Sequence, residues 1–303
     1  ENVDRLLRSP AKQQGRDLGI ILASLSDLGY AAEWRVINAA DYGMPQRRRR
    51  VFIMAYKKGT PIYKNLVNSS PFDWLTNKGV IAEAFPTKPI KIILLQTRIE
   101  GDLVNISDGF AYLFENTGFI IDRKLTTLRT KPEYSDPQST LGSVLIPVKE
   151  VPKEYFIDKK EIERWKYLKN AKKEKRTSKN GFSYVYNEGT ISFPDPLDKP
   201  SRTIVTGEGG STPSRFKHAI KQSNRYRRLT PVELERLCMF PDNHTFHPSI
   251  SDVKRSFFMG NALVVGVIER LGKSLLKHHH SKAPTLPANL LGSFSISHSQ
   301  KTN

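Results

Sequence analysis

The chain has 303 residues and is 38% hydrophobic, so it can bury one large core or two modest ones. It carries 48 Lys and Arg against 30 Asp and Glu, which gives a formal net charge of +18. This charge favours a polyanionic partner over an acidic small molecule, and nucleic acid is favoured before a membrane surface. It has no apolar run of membrane-spanning length and no signal peptide at its polar start, and its single cysteine excludes an internal disulfide and a multi-cysteine zinc site. We therefore expect a cytoplasmic protein without a membrane partner.

The first regular pattern is an apolar stripe in which Leu18, Ile21, Leu22, Leu25 and Leu28 recur every three or four positions. This spacing predicts a helix with one buried face, and Gly29 ends it. Two strands are predicted at residues 34–37 and 51–56, separated by a Pro-bearing turn at residues 41–45. Helix, strand, turn and strand indicate the end of an α/β domain whose last strand pair is antiparallel.

Residues 57 to about 200 lack a sustained period, except for a short helical pattern near residues 162–168, and prolines recur along them. Residues 151–230 contain 19 Lys and Arg against 9 Asp and Glu, so much of the basic charge lies there. The charged run at residues 172–176 favours a solvated helix end over a phosphate-tracking patch. We interpret residues 58–226 as a loop-rich, mainly β domain inserted between residues 1–57 and 227–280.

Regular structure returns at Thr230, which opens a capping box with Pro at the first helical position. A last helix is predicted at residues 263–277, and residues 281–303 predict a flexible tail. The buried stripe of the last helix is expected to be Val264, Val267, Ile268, Leu271 and Leu275. Cys238 predicts a buried structural thiol, and three adjacent histidines at 278–280 are weak grounds for a metal site, so we expect none.

Four consecutive arginines enter the second predicted strand. Strand alternation sends Arg48 and Arg50 to one face and Arg47 and Arg49 to the other. Two guanidinium groups on one face can grip a phosphate or a base carbonyl through forked donors. A solvated basic edge or a localisation signal explains the same residues equally well when they are taken alone.

Two ordered segments, Glu1-Asn2-Val3 and residues 36–50, resemble motifs of bacterial cytosine-5 DNA methyltransferases of restriction-modification systems. The resemblance implies the C-terminal part of a Rossmann-like α/β domain that uses S-adenosylmethionine and double-stranded DNA, with an inserted target-recognition domain. It implies that Glu1 binds the ring nitrogen of a flipped cytosine and assists its activation. It places Arg48 and Arg50 at the base pocket and a nearby phosphate.

Three later segments extend the resemblance. Residues 227–242 resemble the helix that follows the recognition domain. Residues 258–265 resemble the last motif, where a Gly-Asn turn before a helix lines the cofactor pocket. This second resemblance implies cofactor contacts for Asn261 and Ala262. Residues 199–210 resemble the recognition loop, whose Thr203 touches the DNA backbone. The DNA-binding candidates are Arg202, Thr203, Gly209, Gly210, Arg215 and Lys217.

The family also has a Gly-rich cofactor loop and a Pro-Cys pair whose thiolate attacks the base, and neither occurs in this sequence. We therefore expect a C-terminal portion of the enzyme that is inactive alone, with a truncated record, an interrupted gene and a split two-subunit enzyme all open. A complementing N-terminal segment or subunit would be its protein partner. The alternative is a non-catalytic, sequence-specific DNA-binding protein, while an RNA-binding protein has only the charge in its favour.

Overall fold

The computed structural model describes residues 1–178 and 180–280, so the predicted tail at 281–303 lies outside the described residues. The helices are α1 (Arg16–Asp27), α2 (Pro61–Asn68), α3 (Pro71–Asp73), α4 (Val80–Ala84), α5 (Leu103–Gly109), α6 (Ile162–Lys169), α7 (Pro231–Leu237), α8 (Asp252–Asn261) and α9 (Val265–His280). The strands are β1 (Asn2–Val3), β2 (Tyr30–Asn38), β3 (Arg49–Lys57), β4 (Thr87–Pro89), β5 (Leu95–Arg98), β6 (Thr117–Ile121), β7 (Lys124–Leu128), β8 (Thr130–Pro132), β9 (Lys172–Thr177), β10 (Ser183–Glu188), β11 (Ile220–Gln222) and β12 (Arg225–Arg227).

A six-stranded sheet in the order β1-β3-β2-β6-β7-β5 organises the first half of the chain. β2 and β3 are its longest pair and run antiparallel, as the sequence predicts, with Trp34 opposite Ile53. Every pairing of this sheet within the described residues is antiparallel. The parallel strands of a Rossmann-like sheet therefore stay a prediction.

The sheet continues beyond residue 58, where the sequence predicts a change of domain. β6 pairs with β2, and Gly118 faces Trp34 so closely that a Cβ at this glycine would lie 2.3 Å from the indole ring. Asp122 and Arg123 turn β6 into β7 with φ of 44° and 65°, the left-handed backbone of a tight hairpin turn. This hairpin pairs with the edge of β2 that would otherwise be open, so the sheet has no break at residue 58.

Helices cover both faces of the sheet, which confirms the α/β class. α1 packs through Leu18 and Leu22 against Trp34, and α9 packs through Val267 and Leu271 on the opposite face. The predicted stripes are wider than the covered faces: Ile21, Leu28 and Ile268 are exposed. Leu28 lies past the last residue of α1, and the other two lie at the margins of their stripes.

A second core joins the segments around α7 and α8, with Ile204, Leu234 and Met259 among its buried residues. The predicted capping box is present, since Thr230 accepts from the backbone of Glu233 and the Glu233 carboxylate accepts from the backbone of Thr230. Glu233 also forms an ion pair at 2.6 Å with Arg227, and both side chains are fully buried. The carboxylate therefore caps α7 and neutralises a buried cation at the same time.

The charged run at residues 172–176 lies in strand β9 and not at the predicted helix end. Its partner is β10, whose aromatic and β-branched residues favour a strand. The short helix expected near residues 162–168 is confirmed as α6. His278 lies in the last turn of α9 and packs edge-on against Trp74 at 6.1 Å between ring centroids. No helix in the described ranges combines the length and the apolar content that a membrane crossing requires.

Candidate active site

Three charged side chains from the two motifs meet where β1 pairs with β3. Val3 lies opposite Arg50, so Glu1 is beside the start of the incoming strand. An oxygen of the Glu1 carboxylate lies 3.3 Å from Nε of Arg50 and 3.8 Å from Nε of Arg48. We call Glu1, Arg48 and Arg50 the pocket cluster.

The predicted alternation of the arginines is confirmed. Arg49 leaves the strand on the other side and pairs with Asp4 at 2.7 Å, where both side chains are largely exposed. Arg47 is exposed as well. Arg48, just before β3, and Arg50, within it, are thus the two arginines that point toward Glu1.

Arg48 is the buried member of the pocket cluster, with 5% of its side chain exposed against 20% for Arg50. Burial lowers the pKa of Arg48, and the nearby charge of Arg50 lowers it further. Its two terminal nitrogens donate to the carbonyl of Gly260 at 3.4 Å, whereas its Nε has no hydrogen-bond acceptor among the described residues. A buried N–H without an acceptor is costly, so a ligand oxygen beside Glu1 would be bound favourably.

The carbonyl that Arg48 contacts leads directly to the two cofactor candidates. Asn261 is the last residue of α8 and Ala262 follows it, so the predicted turn before a helix is the end of one helix, and α9 begins at Val265. Asn261 is exposed and its amide nitrogen donates to the Phe257 carbonyl at 3.2 Å. Cofactor contacts for the exposed Asn261 and the half-buried Ala262 stay predictions.

The predicted recognition loop docks beside the pocket cluster. The backbone N–H of Arg47 donates to Ser201 at 2.8 Å, and the Thr203 hydroxyl donates to the Arg47 carbonyl. Gly260 allows the close approach of Thr206, because a Cβ at this glycine would lie 2.5 Å from the Thr206 Cα. The structure thus brings Thr203 together with the catalytic candidates.

Two predicted DNA-binding cations are engaged inside the loop region. Arg202 forms an ion pair with the buried Asp195 at 2.6 Å, and Lys217 donates to the carbonyls of Gly210 and Thr212 at 2.8 Å each. Burial would raise the pKa of Asp195, but the hydrogen bond from Arg202 and the nearby cationic groups lower it to about 2. These contacts hold the loops in place, and DNA contacts for Arg202 and Lys217 stay predictions.

Arg215 and Gly209 also make contacts within the chain. The Arg215 guanidinium donates to the carbonyls of Leu168 at 3.1 Å and Asn170 at 3.0 Å. A Cβ at Gly209 would lie 2.7 Å from the Val253 Cα, so this glycine permits tight packing on α8. The Gly210 carbonyl accepts a hydrogen bond from the Lys217 ammonium group. The approach of Gly210 to a DNA groove stays a prediction.

Cys238 is fully buried, which confirms the structural interpretation of this thiol. Burial raises the pKa of Cys238 to about 11, although a hydrogen bond from Gln46 and the charge of Arg48 oppose that effect. The Gln46 amide nitrogen lies 3.5 Å from the sulfur. A thiol that is inaccessible and protonated near neutral pH is unsuited to attack a base.

Sequence reasoning missed the ribbon of β9 and β10, whose outward residues include Lys173, Lys175 and Asn187. The signal was present, because Asn180-Gly181 is a strong hairpin turn pair between two stretches of strand-forming residues.

The sequence profile of the C-5 cytosine-specific DNA methylases matches residues 1–277. The chain belongs to this family. The type II methyltransferase M.Sau3AI of Staphylococcus aureus is 44% identical to this C-5 methylase chain over 280 residues, which cover 91% of the chain and 66% of the relative. M.DsaV of Dactylococcopsis salina is 26% identical over 268 residues, which cover 88% of the chain and 53% of the relative. The C-5 methylase chain thus spans 66% or less of the length of these relatives.

A solved structure of a methyltransferase from Entamoeba histolytica superposes on 86% of the chain and 58% of its own chain, with a TM-score of 0.48 and 12% identity. That likeness is too distant to add to the family assignment. Membership confirms the family that the motifs at residues 1–3 and 36–50 suggest.

Proposed function

We propose that this chain supplies the base-contacting and DNA-recognition part of an enzyme that transfers methyl from S-adenosylmethionine to C5 of a flipped cytosine in a specific duplex site. The pocket cluster carries the proposal. It offers a carboxylate between two guanidinium groups, and one of these is buried with an Nε–H that lies 3.8 Å from the carboxylate and has no hydrogen-bond acceptor among the residues that the structure describes.

The chemistry explains why these residue types are needed. Cytosine C5 is a poor nucleophile until a thiolate adds to the ring, and the addition builds negative charge on the ring nitrogen and the carbonyl oxygen. A Glu1 carboxyl group that holds a proton donates it at the ring nitrogen, and the Arg48 N–H donates at the carbonyl oxygen, so that both stabilise the charge that the addition builds. Arg50, with 20% of its side chain exposed, is suited to the adjacent phosphate, and the base must leave the stack before it reaches either group.

The cofactor candidates lie on the Gly260 side of the pocket cluster, where Asn261 and Ala262 would hold S-adenosylmethionine. The bound cofactor supplies an electrophilic methyl group. The residues of this chain orient the base toward it, through Glu1 and Arg48. Docking of residues 201–206 against Arg47 keeps the DNA-facing loop in register with that edge.

The attacking thiolate in this proposal does not come from Cys238, because that sulfur is buried and its pKa is raised to about 11. The 303-residue chain is therefore expected to show no turnover by itself. A segment with the Pro-Cys pair and the Gly-rich loop, supplied in trans, should restore methyl transfer. The corresponding segment of the Staphylococcus aureus relative is a suitable donor, since this chain is 44% identical to that protein.

The test is transfer of labelled methyl from S-adenosylmethionine to duplex DNA by the chain, by the complementing segment and by the mixture. Activity in the mixture alone supports the proposal, and it should disappear when Glu1→Gln replaces the native chain. Arg49→Ala is the matched control, because its side chain pairs with Asp4 outside the pocket cluster. Turnover by the chain alone would contradict the assignment of the nucleophile.

A non-catalytic, sequence-specific DNA-binding protein is the second candidate, because the only thiol of the sequence is buried. This candidate predicts specific duplex binding with no methyl transfer in any mixture. Retained activity in the mixture excludes it.

A further inference from the structure

The strands β9 and β10 form a two-stranded ribbon that pairs with no other sheet in the described part of the chain. Its register places Lys173 opposite Asn187 and Lys175 opposite Val185. Residues directly opposite each other in an antiparallel pair share a face, and successive residues alternate between faces. The ribbon therefore has two faces whose compositions can be compared.

On one face of the ribbon the charged side chains form ion pairs, and part of this face packs against the rest of the chain. Arg176 pairs with Glu174 at 3.0 Å and lies over the Tyr186 ring at 3.6 Å from its centroid. Glu188 on the same face pairs with Arg215 at 3.4 Å, and Tyr186 and Glu188 are only partly exposed. This inner face has little charge left to offer a ligand.

The outer face has the opposite character. Its members are exposed and include no carboxylate: Lys173, Lys175, Thr177, Ser183, Val185 and Asn187. Across the residues that the structure describes, neither lysine has an ion-pair partner. Two cations, two hydroxyls, an amide and an aliphatic side chain thus project from one side of a narrow ribbon.

We infer that this outer face enters the major groove of the target duplex and contacts base edges, an inference that rests on the proposed function. The major groove is wide enough for a two-stranded ribbon. A lysine ammonium matches the guanine N7 and O6 acceptors, an asparagine amide matches adenine N6 and N7, and an aliphatic side chain such as Val185 packs on the thymine methyl. The net positive charge of the face also favours approach between two phosphate backbones.

Hydrogen bonds hold the ribbon where β9 begins and β10 ends, so the outer face has a defined direction. Arg215 donates to the Asn170 carbonyl before β9 at 3.0 Å and to the Gly189 carbonyl after β10. The backbone N–H of Ile191 donates to the Lys169 carbonyl at 2.8 Å, which closes the base of the ribbon a second time. A ribbon held at its base loses less conformational entropy when it enters a groove than a free loop does.

The experiment uses the full chain to select preferred sites from a library of duplex DNA with a randomised core. Asn187→Ala should lower discrimination at one base pair by roughly 10- to 100-fold, the range expected for a lost bidentate base contact. The double variant Lys173→Gln, Lys175→Gln should weaken binding and lower discrimination at the guanines that the two ammonium groups contact. The matched control is Lys149→Gln, Lys153→Gln, which removes two exposed lysines outside the ribbon. Unchanged thermal unfolding shows that each variant remains folded.

The outcomes separate this inference from the proposed function. If the native chain selects a sequence and the ribbon variants select it with undiminished discrimination, the ribbon does not read bases although the proposed function stands. If the native chain selects no duplex, or prefers single-stranded RNA, the inference fails, and methyl transfer in the mixture then decides the proposed function separately. A loss confined to the ribbon variants, with the lysine control unaffected, supports the inference.

Discussion

Arginines play opposite roles in two regions of this molecule. In the pocket cluster, Arg48 is buried with a donor that no described residue accepts. At the end of β12, Arg227 is buried with hydrogen bonds to Gln222, Glu233 and the Arg228 carbonyl. The fold thus leaves one hydrogen-bond donor of Arg48 without an acceptor among the described residues, whereas it supplies acceptors to the guanidinium of Arg227.

The difference shows how a buried cation is assigned to function or to stability. A guanidinium with every direction occupied can bind a ligand only by giving up contacts, whereas one with a vacant direction gains from binding. Arg202 and Arg215 belong with Arg227 by this criterion. The predicted DNA contacts of these two residues would compete with contacts that hold the loops.

The largest expected effect is on stability, and it comes from Arg227→Ala. Removal of this side chain leaves the Glu233 carboxylate buried without its ion pair, which typically costs about 3–5 kcal/mol. Denaturant unfolding measures the change. Arg236→Ala is the control, since its pair with Asp242 is partly exposed and should contribute under about 1 kcal/mol. Equal losses of unfolding free energy in the two variants would contradict the distinction between a buried, hydrogen-bonded arginine and a surface arginine.

Arg48→Ala should instead act mainly on catalysis. In the complemented enzyme we expect methyl transfer to fall by roughly 100- to 1000-fold, the usual effect of removing a donor aimed at developing charge. The free energy of unfolding should change less than in Arg227→Ala, because the contacts of Arg48 are long, at 3.4 Å to the Gly260 carbonyl and 3.8 Å to the Glu1 carboxylate. Single-turnover methylation and denaturant unfolding are measured on the same preparations. A variant that loses stability and keeps its rate would place Arg48 with the structural arginines.

Local patterns allowed the sequence to predict part of this fold and site. The spacing of Thr230, Pro231 and Glu233 predicts the start of α7, and strand alternation predicts that Arg48 and Arg50 share a face. Both follow from neighbours within a few residues.

The remainder depends on partners far apart in sequence. Nothing near Arg215 indicates that it binds the carbonyl of Asn170, 45 residues earlier. The β6–β7 hairpin was missed because its turn uses Asp122 and Arg123 instead of a glycine. Ion-pair partners and sheet edges are tertiary features, so composition and periodicity do not determine them.

The pH dependence of stability tests the ion pair between Arg202 and the buried Asp195. Its pKa is about 2 against an ordinary value of 3.8, so the folded state keeps the carboxylate ionised where the unfolded chain would protonate it. The resulting stability is present above pH 3.8 and is lost as pH falls toward 2. At about 1.4 kcal/mol per pKa unit, this amounts to about 2 kcal/mol. The stability gap between the native chain and Asp195→Asn should therefore narrow over that interval, and a constant gap would contradict the depressed pKa.

The smallest expected effect is that of Cys238→Ala in the complemented enzyme. Loss of the buried sulfur should cost about 1 kcal/mol of stability, as a small core truncation does, and should leave methyl transfer nearly unchanged. In the native chain the thiol should resist alkylation at pH 8, because it is inaccessible and its pKa is about 11, and should react once the chain unfolds. If the variant stays folded and loses methyl transfer, then Cys238 must become exposed in the working enzyme. Arg48, whose charge already acts on that sulfur, would then be the group that activates it.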